Sequence, residues 1–164
     1  MTSFGMKTCR IAALAVFFNS SVALASTLIG VVDAVHDGDT VTMKYGSGQM
    51  KVRLAGIDAP ELSQPYGVES RAALRESVLG KQVQVETLRN DRYGRIVGKV
   101  LLEGVDINLK QILSGMAWVH DQYLKELSKE DKVSYLESVA QSKAIPAGLW
   151  KDSNPVEPWI WRKK

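Results

Sequence analysis

The chain has 164 residues, with 21 lysines and arginines against 18 acids and a formal charge of +3. That length supports one modest hydrophobic core. The only cysteine, Cys9, excludes an intramolecular disulfide.

Residues 1–25 read as a cleaved secretory signal peptide. Lys7 and Arg10 form a positive start, Ile11 to Phe18 is apolar, and Ala23-Leu24-Ala25 places small residues where a signal peptidase reads. Cleavage is expected before Ser26, from a start at either Met1 or Met6. The apolar run is short and is interrupted by Asn19, Ser20 and Ser21, so no stable membrane association is expected. Cys9 leaves with the leader and lacks the small-residue context of a lipoprotein site. The product, residues 26–164, is expected as one exported domain, periplasmic or extracellular. It carries 19 cations against 18 acids. Any attraction for a polyanion must then come from local arrangement, because the bulk charge is nearly zero.

Thr27 to Val35 is apolar and β-branched, a first strand. Asp37-Gly38-Asp39 is a turn, and Thr40 to Met43 opens a second strand. Gly46-Ser47-Gly48 turns into a third, where Met50, Val52 and Leu54 alternate with Lys51 and Arg53. The period of two turns Arg53 away from the packed side, toward an open face. Glu69 to Leu79 reads as a helix closed by Gly80. Val83 and Val85 mark a fourth strand and Ile96 to Leu101 a fifth. Leu109, Ile112, Leu113 and Met116 follow helical spacing after Asp106, ending at Gly115. Ser128 with Asp131 resembles a capping box for a third helix, whose packed face is expected to carry Val133, Leu136, Ala140 and Ala144. Pro146 and Gly148 stop it. The tail, 156–164, holds Trp159 and Trp161 beside Arg162-Lys163-Lys164; it is expected to pack back on the barrel and leave its basic ends in solvent. Five strands with about three helices predict an α+β, mainly β fold: a five-stranded Greek-key barrel of the OB type.

Three stretches carry chemistry: Asp37-Gly38-Asp39-Thr40, Arg53 to Glu61, and Asp91-Arg92-Tyr93-Gly94-Arg95. A phosphodiester is an anion attacked through a more highly charged transition state. Cleaving it needs positive charge on the phosphoryl oxygens and a positioned nucleophile. Arginine presents a planar fork of donors suited to phosphate, and it stays protonated. Asp39 and Asp58 flank a strand hairpin, which returns its two ends to one rim. Carboxylates there offer hard oxygen ligands.

Together these stretches resemble the thermonuclease, or staphylococcal nuclease-like, family, over roughly Val31 to Trp150. The resemblance implies that Asp39, Asp58 and the backbone carbonyl of Ala59 hold one Ca2+ per site. It implies that Glu61 positions or deprotonates the attacking water, and that Arg53 and Arg95 clamp the phosphate. Tyr93 matches a tyrosine beside the bound nucleotide, with Arg92 adjacent, and Tyr123 is the nearest match to a second one. The segment from Leu62 to Gly67 is short and lacks the lysine-rich insertion of the type enzyme. The implied activity is an exported, Ca2+-dependent nuclease, endo or exo, acting on DNA and RNA with low sequence specificity. It would favour single-stranded or breathing substrates and leave 3′-phosphate ends, acting as a monomer. The alternative is a non-catalytic nucleic-acid-binding OB-fold module.

Each stretch alone also has a bland reading: a turn, a helix start, a turn with an exposed cation. Their joint order favours the site. Elsewhere the bland reading is preferred. His36 is a strand-end surface residue, His120 a loop residue, Trp118 and Trp150 packing groups, and Met50 and Met116 core fillers.

Overall fold

The computed structural model describes residues 26–164, so the expected leader lies outside the described residues. Eight strand segments run β1 (Thr27–Val35), β2 (Thr40–Tyr45), β3 (Gly48–Leu54), β4 (Ile57–Asp58), β5 (Gln82–Asn90), β6 (Ile96–Leu102), β7 (Val105–Asp106) and β8 (Trp118–Val119). Five helices accompany them: α1 (Gly67–Val78), α2 (Ile107–Leu113), α3 (Asp121–Leu124), α4 (Lys129–Ala144) and α5 (Pro158–Trp161). β1, β2, β3, β5 and β6 form a closed five-stranded barrel. β1 pairs with β2 and β5, β2 with β3 and β5 with β6, all antiparallel, and a parallel β3–β6 pairing joins the ends. Closure removes the free edges that an open sheet would expose.

The barrel interior follows from alternation. Val32, Val41, Met43, Val52, Leu54, Val83, Val85, Val97 and Val100 point inward and are buried, joined by Leu74 and Val78 of α1 and Ile107 and Ile112 of α2. Asp106 caps α2 through its carboxylate, which accepts from the Leu109 N–H at 3.0 Å, and Ser128 caps α4 by accepting from the Asp131 N–H at 3.0 Å. Both starts agree with the sequence reading.

One expectation needs correction, and two short elements add to the expected ones. α3 and α5 are single turns beside the about three expected helices; four residues are too few to show helical periodicity. The packed face of α4 is not the expected one. Tyr135, Ser138 and Ser142 are buried, while Val133 is 55% and Leu136 50% exposed. The reason is polar. The Tyr135 hydroxyl donates to Asp106 Oδ2 at 3.1 Å, and the two serines are small enough to face inward.

α2 also sends two amides through the core to brace the barrel. Asn108 Nδ2 donates to the Ala55 carbonyl at 3.0 Å and its Oδ1 accepts from the Val100 N–H at 3.1 Å. Gln111 Nε2 donates to the Gly38 carbonyl at 2.8 Å, tying α2 to the turn that precedes Asp39.

Candidate active site

The turn between β1 and β2 delivers Asp39. Asp37 Oδ1 accepts from the Asp39 N–H at 3.0 Å, a local turn that shapes the loop. A side chain at Gly38 would collide with the Ser70 hydroxyl and with Ala59, so only glycine lets this loop lie against α1. Thr40 stands opposite Arg53 in the β2–β3 register, which sets Asp39 beside the Arg53 guanidinium. β4 pairs with β8, placing Asp58 opposite Trp118. Two-residue bridges leave too little pattern for sequence reasoning to find.

Arg53 joins the two aspartates. Its Nη1 lies 2.9 Å from Asp39 Oδ2 and its Nη2 lies 2.9 Å from Asp58 Oδ1. Nη1 also donates to the Ile57 carbonyl at 3.0 Å. Arg53 leaves the packed side of β3 as the alternation predicts, but it does not face open solvent: its side chain is only 12% exposed. Burial alone would lower its pKa; the adjacent Asp39 and Asp58 charges outweigh this and hold it above the ordinary value.

Asp39 is buried. Its Oδ2 accepts from the Ala59 N–H at 2.7 Å and its Oδ1 from the Thr40 hydroxyl at 3.0 Å. Burial nevertheless pushes its carboxyl up to about 6, against the opposing pull of Arg53. Glu61 projects from the loop before α1, where Gln64 Oε1 accepts its N–H at 3.2 Å.

Arg95 reaches the same cleft from the β5–β6 turn, where Gly94 adopts a left-handed φ of 77°. Asp91 orients it, accepting from Arg95 Nε at 2.6 Å and from the Arg95 and Tyr93 N–H groups at 2.9 Å each. Burial raises the Asp91 carboxyl, but these donors outweigh it and leave it below the usual range. Tyr93 is 69% exposed. Arg92 lies over its ring at 4.8 Å and donates to its hydroxyl at 2.6 Å. Tyr123, on α3, faces Arg53 with 5.8 Å between guanidinium carbon and ring centre. His120 is not a plain loop residue: it caps α3 and packs between Tyr123 and Trp159.

A cleft of ≈ 380 Å³ is lined by Asp39, Arg53, Asp58, Ala59, Glu61 and Arg95 together with Arg92, Tyr93 and Tyr123. Every expected site residue therefore meets in one place. A second cavity of ≈ 420 Å³ shares Arg53, Arg92, Tyr93, Arg95 and Tyr123 and extends toward Arg89 and Glu126.

Sequence reasoning missed Arg162. Its Nη2 lies 2.7 Å from Asp58 Oδ2 and its Nη1 2.7 Å from Glu61 Oε1. The tail does pack back, with Trp159 edge-on to Trp118 at 5.9 Å, yet this basic residue is not left to solvent. Aromatic anchors directly before a cation were the available signal.

Among the described residues no three His, Cys, Asp or Glu side chains gather as a metal cage. Two carboxylates and a carbonyl are still a donor set suited to a hard cation that keeps waters or phosphate oxygens as its other ligands. The raised pKa of Asp39 marks a buried negative charge that Arg53 does not fully offset. The residues fit such an ion.

Residues 51–152 match the model of the family described as staphylococcal nuclease homologue. The chain belongs to this family. An uncharacterized endonuclease of Escherichia coli is 37% identical over 152 residues, 92% of this chain and 95% of that protein. An uncharacterized endonuclease of Haemophilus influenzae is 40% identical over 131 residues, 79% of this chain and 70% of that one. A micrococcal nuclease of Shigella flexneri is 33% identical over 163 residues, 94% of this chain and 91% of its own length. Within this staphylococcal nuclease homologue, Arg53, Asp58, Glu61 and Arg95 fall inside the matched span, with Asp39 and Arg162 on either side of it.

Proposed function

We propose that this protein is an exported, Ca2+-dependent endonuclease hydrolysing DNA and RNA with little sequence preference and leaving 3′-phosphate ends. One observation carries the reading most: a single guanidinium, Arg53, bridges two buried aspartates in a cleft that Glu61 and Arg95 also line. Export rests on the leader-like residues 1–25.

Asp39, Asp58 and the Ala59 carbonyl would hold the ion. Bound there, it would supply positive charge to a phosphoryl oxygen and to the water that attacks. Arg95, braced by Asp91, would donate to the phosphate, and Arg53 would add positive charge within the same cleft. Glu61, 41% exposed at its side chain, takes a proton from the water that attacks phosphorus as the 5′ oxygen leaves. Tyr93 and Tyr123 offer ring faces to the bases. Stacking of that kind is worth about 1–3 kcal/mol per base and is indifferent to sequence. Single-stranded or breathing segments expose those faces, so they are the favoured substrates. Among the described residues no helix is long and apolar enough to cross a membrane, and the reading needs only a monomer.

The test is digestion of single-stranded DNA and of RNA by the purified protein with millimolar calcium and with chelator. Cutting of both in calcium alone, with 3′-phosphate ends, is expected. Products ending in 5′-phosphate would point to another hydrolase. Intact substrate that still binds would point to a non-catalytic module.

A further inference from the structure

Arg162 lies outside the family match, yet its ion pairs in the carboxylate cluster, at 2.7 Å, are shorter than those of Arg53, at 2.9 Å. Its guanidinium spans both oxygens of Asp58, at 2.7 and 3.3 Å, and reaches Glu61 Oε1 at 2.7 Å. Asp58 Oδ2, the oxygen that Arg53 does not contact, is the one to which Arg162 comes nearest. Hydrogen bonds that it donates to Asp58 and then to Glu61 hold the Arg162 guanidinium more firmly protonated than usual, despite partial burial.

The tail does not depend on this contact for its place. Gln64 Nε2 donates to the Val156 carbonyl and Pro158 is buried. Trp159 packs against Trp118 and, at 4.4 Å, against His120, while Trp161 Nε1 reaches the Ser63 hydroxyl at 3.4 Å. The side chain of Arg162 is 41% exposed, whereas that of Asp58 is 2% exposed. The arginine therefore has water to withdraw into, and the aspartate has none. Without Arg162, Arg53 would be left as the guanidinium paired with Asp39 and Asp58, and Glu61 would lose the ion pair it makes among the described residues.

Resting on the calcium reading above, we infer that Arg162 is a built-in cation that latches Asp58 and Glu61 and that a divalent ion must displace. A carboxylate oxygen fully engaged by a guanidinium is a poorer metal ligand, so the latch weakens ion binding by the fraction of time it stays closed. It also holds the two carboxylates in place while no metal is bound. Released, the guanidinium remains tethered at the cleft mouth by the docked tail.

The test is calorimetric titration of calcium alone, without nucleic acid, into the full-length wild-type protein, Arg162→Gln and Lys163→Gln. The Arg162→Gln variant is expected to bind calcium about fivefold more tightly. Lys163→Gln, which removes an equal charge one residue away, is expected to match wild type. In chelator Arg162→Gln should melt below wild type, and saturating calcium should close that gap. Unchanged or weaker calcium binding by Arg162→Gln overturns the latch, as does an equal gain in Lys163→Gln. If wild type cleaves and both variants bind as it does, the latch alone falls. If no form binds calcium, the calcium reading falls and takes the latch with it.

Discussion

Asp39 is where burial and charge disagree most. It is 5% exposed and accepts three contacts, yet burial pushes its carboxyl up to about 6 from an ordinary 3.8. A carboxyl that binds its proton more tightly folded than unfolded stabilises the fold while protonated. That contribution is complete below about 3.8 and is lost as pH rises through about 6. At about 1.4 kcal/mol per pKa unit the loss is bounded at about 3 kcal/mol. Denaturant unfolding in chelator, compared with Asp39→Asn, should show wild type losing ground between pH 4 and pH 7. A difference that stays flat with pH would refute this account of Asp39. On the proposed reading, a bound cation would relieve this cost.

At the scale of elements, the barrel presents the site but α2 fixes it. Asn108 and Gln111 point polar amides into an apolar core and use them on Ala55, Gly98, Val100, Gly38 and Ser70. Removing one such partner leaves buried backbone groups without a match, at about 1–3 kcal/mol each. Asn108→Ala is accordingly expected to cost about 2–4 kcal/mol in urea unfolding, with an unchanged slope. A loss under about 0.5 kcal/mol would show that water replaces the amide. The barrel strands were legible because alternation is strong in Met50 to Leu54 and in Val83 to Val85. α4 was misread because apolar spacing suggested Val133 and Leu136, whereas a hydroxyl on Tyr135 and two serines decided the face. β4, β8, α3 and α5 are too short to carry a period, and only tertiary pairing defines them.

Across the whole molecule, the site draws on residues as far apart as Asp39 and Arg162, 123 positions in sequence, and its legibility was uneven for a physical reason. Asp39, Arg53, Asp58, Glu61 and Arg95 sit in turns and strand ends whose glycines and prolines announce local geometry. Arg162 reaches the cleft because Trp159, Trp161 and the Gln64–Val156 contact dock the tail, a long-range event at which the local pattern, two aromatics before a cation, only hints. The central claim concerns the shared cleft: Glu61 and Arg95 act there on one phosphodiester. Its most direct measurement is the rate at which a single-stranded oligonucleotide is cut in saturating calcium by wild type, Glu61→Gln and Arg95→Ala. Each variant should melt near wild type and cut about 10²-fold or more slowly. Rates within a few-fold of wild type in both folded variants would contradict the account and move the chemistry elsewhere on the molecule.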